Sequence, residues 1–189
     1  MNLPENCSVL NLPLKTDRLQ LAPLVPGDFD DMLVLCTHED LCRYIRPAMT
    51  PAQVEEHINN RLRPWQLEDL KWFSFAVRQP HNPRIIGELV FRFESRADAR
   101  AEIGYRFHPD AQGKGYALEA TRAVAQMCFN DLNVRKLAAY CNAQNTASRS
   151  LLEKLGMSLE GIRPEHMYTV YGLEDMCIYG LLDRNYSCC

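Results

Sequence analysis

Residues 107–117 constrain this chain more than any other stretch. An alternating run, Ala101-Glu-Ile-Gly-Tyr-Arg-Phe107, leads into His108-Pro-Asp-Ala-Gln-Gly-Lys-Gly115, and a helical pattern starts at Tyr116 with no linker between them. Gly113 and Gly115 permit positive φ and close approach of a ligand, so successive main-chain amides can converge on an anion. The helix start behind them adds free N–H groups and a positive dipole end, worth about 0.3–1 kcal/mol per nearby negative charge. Lys114 adds a full charge. The segment therefore reads as a pyrophosphate cradle. It is not the nucleoside-triphosphate version, because His108 stands where the first glycine is required and Gly115 follows Lys114 where a hydroxyl is needed. The dinucleotide fingerprint fits poorly too, since Leu118 replaces its third glycine and the segment lies past mid-chain.

The rest of the chain surrounds this segment with strands and interspersed helices, the pattern of an α/β or α+β mixed sheet. Strands are expected at 18–22, 72–78, 85–93, 101–107 and 134–141, with two or three more between Met157 and Leu182, broken at 161–164 and 172–175. Asp28 is placed to cap a short helix ending near Cys36. Thr50-Pro-Ala-Gln53 has the form of a capping box, opening a helix that ends before Pro64. The helix at 116–130 spaces Ala117, Ala120, Thr121, Val124 and Cys128 for close packing on a sheet. Asn145 or Thr146 caps a further helix with Ser148, Leu151, Leu152 and Leu155 inward and Gly156 as its stop. No repeat or long linker divides the chain, so residues 1–189 read as one domain.

A net charge of −3 gives no overall positive field for a nucleic-acid backbone. No window approaches the roughly 20 apolar residues of a membrane span, and the N-terminus lacks a secretory pattern. The expected location is cytoplasmic. The cysteines (Cys7, Cys36, Cys42, Cys128, Cys141, Cys177, Cys188, Cys189) include no Cys-x-x-Cys pair and no zinc spacing, so they read as free thiols, mostly in the core, and no metal is expected.

Gln112-x-x-Gly115-x-Ala117 matches the Gln/Arg-x-x-Gly-x-Gly/Ala signature of the GNAT acetyltransferases. The strand Glu102-Ile-Gly-Tyr-Arg-Phe107, the downstream Asn145-x-x-Ser148 with Leu152-Glu-Lys-Leu-Gly-Met157, and Thr16-Asp-Arg-Leu-Gln-Leu21 extend the match over roughly residues 14–183. The chain thus resembles that superfamily, and within it the RimJ/RimL-like branch, whose members acetylate protein N-termini. The resemblance implies a single-domain fold with a mixed, mostly antiparallel sheet, splayed central strands and flanking helices. It also implies acetyl-CoA as cosubstrate and an amine acceptor, in a monomer or homodimer. The pantetheine arm would run along the main chain of Tyr105, Arg106 and Phe107. The pyrophosphate would rest on Gln112, Gly113, Lys114, Gly115, Tyr116 and Ala117. Asn145 matches the asparagine that bonds the cofactor arm, and Ser148 the hydroxyl that protonates the departing thiolate.

The chemistry needs a neutral amine, a polarised carbonyl and a leaving thiolate. A main-chain N–H at the parted strand can polarise the carbonyl, and direct attack in a ternary complex needs no cysteine nucleophile, Cys141 included. Glu102 shares a strand face with Gly104 and is the preferred general base; Glu174, Asp175 and His166 are rivals. A protein α-amine has a pKa of ~7.7–8.0 against ~10.4 for lysine, so deprotonating it is easier by about 3.4 kcal/mol. A site without an obvious strong base suits an α-amine. Two alternatives stay open: a small-molecule amine as acceptor, or an acyl-CoA-binding protein without turnover. Arg43, Arg46, Arg61 and Arg63 would suit an acidic acceptor or a peptide carboxylate, or are simply solvated; Trp65 and Trp72 read as core or rim.

Overall fold

A computed structural model describes residues 10–62 and 65–186; Cys7, Arg63, Pro64, Cys188 and Cys189 lie outside the described residues. The chain runs β1 (Leu14–Lys15), β2 (Gln20–Pro23), α1 (Phe29–Thr37), α2 (Glu39–Cys42), α3 (Pro51–Arg61), β3 (Phe73–Gln79), β4 (Asn82–Ser95) and β5 (Arg100–Phe107). It continues through α4 (Tyr116–Asn130), β6 (Lys136–Asn142), α5 (Thr146–Leu155), β7 (Ser158–Thr169) and β8 (Gly172–Leu182). The eight strands make one sheet in the order β1-β2-β3-β4-β5-β6-β8-β7. Only β5 and β6 pair in parallel, so the sheet is mixed and mostly antiparallel, as expected.

Local chemistry fixes the ends of these elements. Thr50 accepts the Gln53 N–H and Gln53 returns a bond to the Thr50 amide, the capping box read from the sequence. Asn145 accepts the Ser148 N–H, and Gly156 at φ 96° closes α5. Asp28 behaves differently from its expected role. It stands at the N-cap position of α1 without capping it; its carboxylate turns back to the Val25 amide and pairs with Arg78. The expected break at 161–164 is also absent, because the register slips there are absorbed as irregularities within a continuous β7. The two-residue β1 was not anticipated.

Strand alternation sorts the sheet into two chemically different faces. Phe75, Leu89, Phe91, Phe93, Ala101 and Ile103 join the core beneath α4, whose Ala120, Val124, Ala125 and Cys128 pack close. Trp65 seals one end of this core against Phe73, Phe75 and Phe91 at ring-centroid distances of 4.9–5.7 Å, each such pair adding about 0.5–1.5 kcal/mol. The five described cysteines are buried and free. The opposite face is covered in part by α1 and α3 through Met32, Leu35, Val54 and Ile58. It carries charges inside the strands.

Glu88 on β4 lies directly across from Arg106 on β5, and both are buried. Arg106 Nε donates to Glu88 Oε2 at 2.8 Å, Ser74 Oγ donates to Oε1 at 2.8 Å, and His57 Nε2 stands 3.5 Å away. Burial alone would raise the Glu88 carboxyl, but Arg106 first, then His57 and Ser74, hold it far below the ordinary carboxylate range. A group whose folded pKa is depressed stabilises the fold above its unfolded value, near 4.5, and loses that contribution as pH falls through the folded value. Glu88→Gln should therefore cost about 3–5 kcal/mol at neutral pH by stranding Arg106. In urea titrations the deficit should shrink below pH 4.5; a deficit independent of pH would refute an ionised pair.

Candidate active site

Parallel pairing of β5 with β6 covers only residues 100–103 against 136–139. Beyond that point β5 remains bound to β4 as far as Phe107, and β6 to β8 as far as Asn142. Each strand is thus held from its outer side while a gap opens between them. Main-chain groups of residues 104–107 that face the gap have no ladder partner, and such groups require a substitute such as a ligand or water. At the far end of β5, the Phe107 ring lies over Gly87, where a Cβ would meet it at 2.5 Å. Only glycine fits there.

The glycine-bearing bend caps this gap. Gly113 and Gly115 have φ of 70° and 80°, and a side chain at 113 would meet nothing within 4 Å. Among the described residues, the main-chain amides of Gly113, Lys114, Gly115, Tyr116, Ala117 and Leu118 donate no hydrogen bond; the first helical bond is Glu119 N–H to the Gly115 carbonyl. These donors sit together at the start of a 15-residue helix, the arrangement suited to a diphosphate. Gln112 does not face it as an open donor: its Nε2 bonds the Phe107 carbonyl at 3.0 Å and ties the bend to β5.

A brace on the bend was not foreseen. Arg18, before β2, bonds Glu119 on α4 through Nε at 2.7 Å and the Lys114 carbonyl through Nη1 at 3.0 Å, and its guanidinium lies 4.8 Å from the Tyr116 ring centre. Thr16 Oγ donates to the same Glu119. The Thr16-Asp-Arg18 run was noticed in the sequence, but its reach over a hundred residues leaves no local signal.

On the helical side of the gap, Tyr105 extends from β5 to α5, its hydroxyl 2.9 Å from Ser148 Oγ. Burial pushes the phenol well above its ordinary range, with the Ser148 contact pulling weakly the other way. Cys141 also bonds Ser148; burial, then Cys177, raises its thiol to about 11. A thiol held protonated at neutral pH is a poor nucleophile. Tyr105 was expected to contribute its main chain; its side chain is the additional finding. The Arg106 side chain turns to the opposite face, toward Glu88.

On that opposite face Glu102 pairs with Arg92, directly across on β4, at 2.8 Å to Nε and 2.7 Å to Nη2. Burial raises the Glu102 carboxyl despite Arg92. Trp72 lies half-buried with Arg92 4.4 Å from its ring centre and Arg61 5.7 Å from it. The rival carboxylates are otherwise engaged. Glu174 accepts from Asn142 Nδ2 and Thr169 Oγ, and Asp175 accepts the Glu165 amide. His166 is exposed on β7. Among the described residues no group of His, Cys, Asp and Glu could hold a metal, and no helix is long and apolar enough to cross a membrane.

Comparison with known proteins places this geometry. Residues 18–158 match the family described as "Acetyltransferase (GNAT) domain". The chain is 28% identical over 177 residues to the uncharacterized N-acetyltransferase p20 of Bacillus licheniformis, covering 92% of this chain and 98% of p20. Among solved structures, the Vibrio cholerae spermidine N-acetyltransferase with CoA and spermine superposes with a TM-score of 0.79 at 22% identity, over 90% of this chain and 99% of that one. A putative ribosomal-protein-serine acetyltransferase of the same organism gives 0.74 at 20% identity, over 91% and 98%.

If the bend grips a diphosphate, Gly115→Trp should weaken CoA binding at least 30-fold by calorimetry. The side chain would need positive φ and would crowd Arg18 Nη2, which is 3.4 Å from the Cβ position. Unchanged affinity in a folded variant would sink the cradle.

Proposed function

This chain belongs to the GNAT acetyltransferases, and on that footing we propose that its acceptor is the α-amine of a protein or peptide, as in the RimJ/RimL-like branch. The coarser activity is that of an acetyl-CoA-dependent N-acetyltransferase. The observation that carries the finer reading is the moderate base. Glu102 is the carboxylate on the acceptor face of β5 without a purely structural set of bonds, and even it is restrained by Arg92. Such a base suits an amine of pKa ~7.7–8.0 rather than a lysine near 10.4. The likeness in fold to the putative ribosomal-protein-serine acetyltransferase is of the same sign, while the likeness to the spermidine N-acetyltransferase makes polyamine acetylation the competing outcome.

In this reading the thioester lies in the gap between β5 and β6, its diphosphate on the amides of residues 113–118. A main-chain N–H of the unpaired half of β5 polarises the carbonyl oxygen. Glu102, directly or through one water, takes a proton from the amine as its nitrogen bonds the carbonyl carbon. The C–S bond then breaks, and Ser148 Oγ–H delivers a proton to the departing sulfur. The Tyr105 hydroxyl, raised above its ordinary range by burial, lies 2.9 Å from Ser148 Oγ and holds that side chain in position. Asn145 holds the first turn of α5 and hence the position of Ser148.

Thiol release coupled to mass spectrometry tests both parts. Peptides should be acetylated at the α-amine; products modified only at lysine side chains would overturn the proposal. Glu102→Gln should lower kcat/KM by about 10²–10⁴ with CoA affinity unchanged. Below the titration of the acceptor amine itself, it should also remove the second acidic limb of the pH profile, where protonation of a carboxyl raised above 4.5 takes away the base. A variant that keeps that limb excludes Glu102 as the base.

A further inference from the structure

The acceptor face holds more positive charge than it neutralises. Arg92 and Arg106 have carboxylate partners in Glu102 and Glu88. Arg61, at the end of α3, and Arg46, before it, take part in none of the ion pairs among the described residues. Arg46 Nε is buried without a hydrogen-bond partner. Arg61 rests beside the Trp72 ring and is held to about 10, chiefly by burial, then by Arg106, Arg46 and Arg92, which crowd it against the pull of Glu88. Guanidinium groups set into a protein without a counter-ion are costly unless something supplies one.

Both line open space. A cleft of about 620 Å³ lies between the end of α3 and the approach to β3, with Arg61, Trp72, Lys71 and Asn60 on its walls. A second hollow of about 480 Å³, lined by Arg46, Met49 and Gln53, adjoins it and shares His57 and Asn60. The carboxylates of Glu68 and Glu56, on these walls, belong to residues exposed to solvent. Trp72 connects the cleft to the chemistry, since Arg92 stacks on it and also grips Glu102. An acceptor whose amine reached Glu102 would lay its next few atoms along Trp72 into this basic space.

We infer that the acceptor carries carboxylate groups close behind its reacting amine, and that Arg61 and Arg46 receive them in the cleft beside α3. This rests on the peptide reading above and narrows it to N-termini followed by acidic residues. Bidentate guanidinium–carboxylate contacts supply the recognition. A polyamine would meet uncompensated positive charge and be turned away.

The test measures initial rates with acetyl-CoA on peptides that share an N-terminal residue and differ at the next three positions, which are aspartate, asparagine or lysine, alongside spermidine and free aspartate. The aspartate peptide should exceed the asparagine peptide at least tenfold in kcat/KM, with the lysine peptide and spermidine poorest. Arg61→Gln and Arg46→Gln should narrow the aspartate–asparagine gap to under threefold at unchanged CoA affinity. Arg61→Glu should move the preference toward lysine. A readout independent of any variant is product inhibition of the wild type, which the acetylated aspartate peptide should cause more strongly than the acetylated asparagine one. Equal rates and equal inhibition for those two peptides would overturn the inference, as would a gap that survives in both glutamine variants. Acetylation of free aspartate with no peptide accepted would end the peptide reading and leave the carboxylate site standing. Preference for the lysine peptide would do the reverse.

Discussion

Between β5 and β6 the sheet surrenders hydrogen bonds that it could have made. The two strands leave Arg100 and Lys136 in register and separate past Ile103 and Ala139, although β4 and β8 continue to hold them from outside. Unpaired main chain in a sheet interior is costly, at about 1–3 kcal/mol for each group left without water or partner. The gap persists because its walls are fixed elsewhere. The Tyr105 phenol reaches Ser148 across it, and the Phe107 ring pins the end of β5 over Gly87. The open strand edge and the amide-rich bend belong to one continuous segment, so one ligand can satisfy both.

That segment also divides the molecule's labours by strand alternation. Residues of odd number on β5, Ile103, Tyr105 and Phe107, face the core and α5. Even ones, Glu102 and Arg106, face the opposite side, where they pair with Arg92 and Glu88. A single-residue slip would exchange every one of these roles. Register therefore matters more here than in an ordinary hairpin, and the buried Glu88–Arg106 pair specifies it: slipping the pairing would bury two unmatched charges.

Much of this was legible in the sequence because the informative signals are local. Gly113, Gly115 and the immediate start of α4 announce an anion site at short range, and Thr50 with Gln53, or Asn145 with Gly156, announce helix ends in the same way. Signals carried by register were legible in principle. The turn that joins β4 to β5 is centred on Ala97, and residues equidistant from that centre face one another: Arg92 with Glu102, Glu88 with Arg106. Alternation places those charges together on one face; only pairing across the hairpin turns them into internal ion pairs. Arg18 and Asp28 escaped for another reason. Their partners, Glu119 and Arg78, are distant in the chain, and a capping position is a statement about one turn of helix that a remote arginine can outbid.

The separation of charge on the face that carries Glu102 follows from the same geometry. Arg92 and Arg106 stand on strands, where an opposite residue is supplied by register, and each finds a carboxylate there. Arg61 stands on α3 and Arg46 before it, where no register supplies one. Arg61 approaches the sheet through Trp72 instead, an interaction that accommodates a cation without neutralising it. Removing the charge would be simple for an element that only had to cover the sheet, since Val54 and Ile58 of the same helix do so with apolar side chains. Arg61 is placed where the helix leaves the core and the cleft begins, and Arg46 lines the hollow that adjoins it. Charge retained at that boundary, one step from Glu102 through Trp72 and Arg92, is what a receiving surface for an acidic acceptor requires.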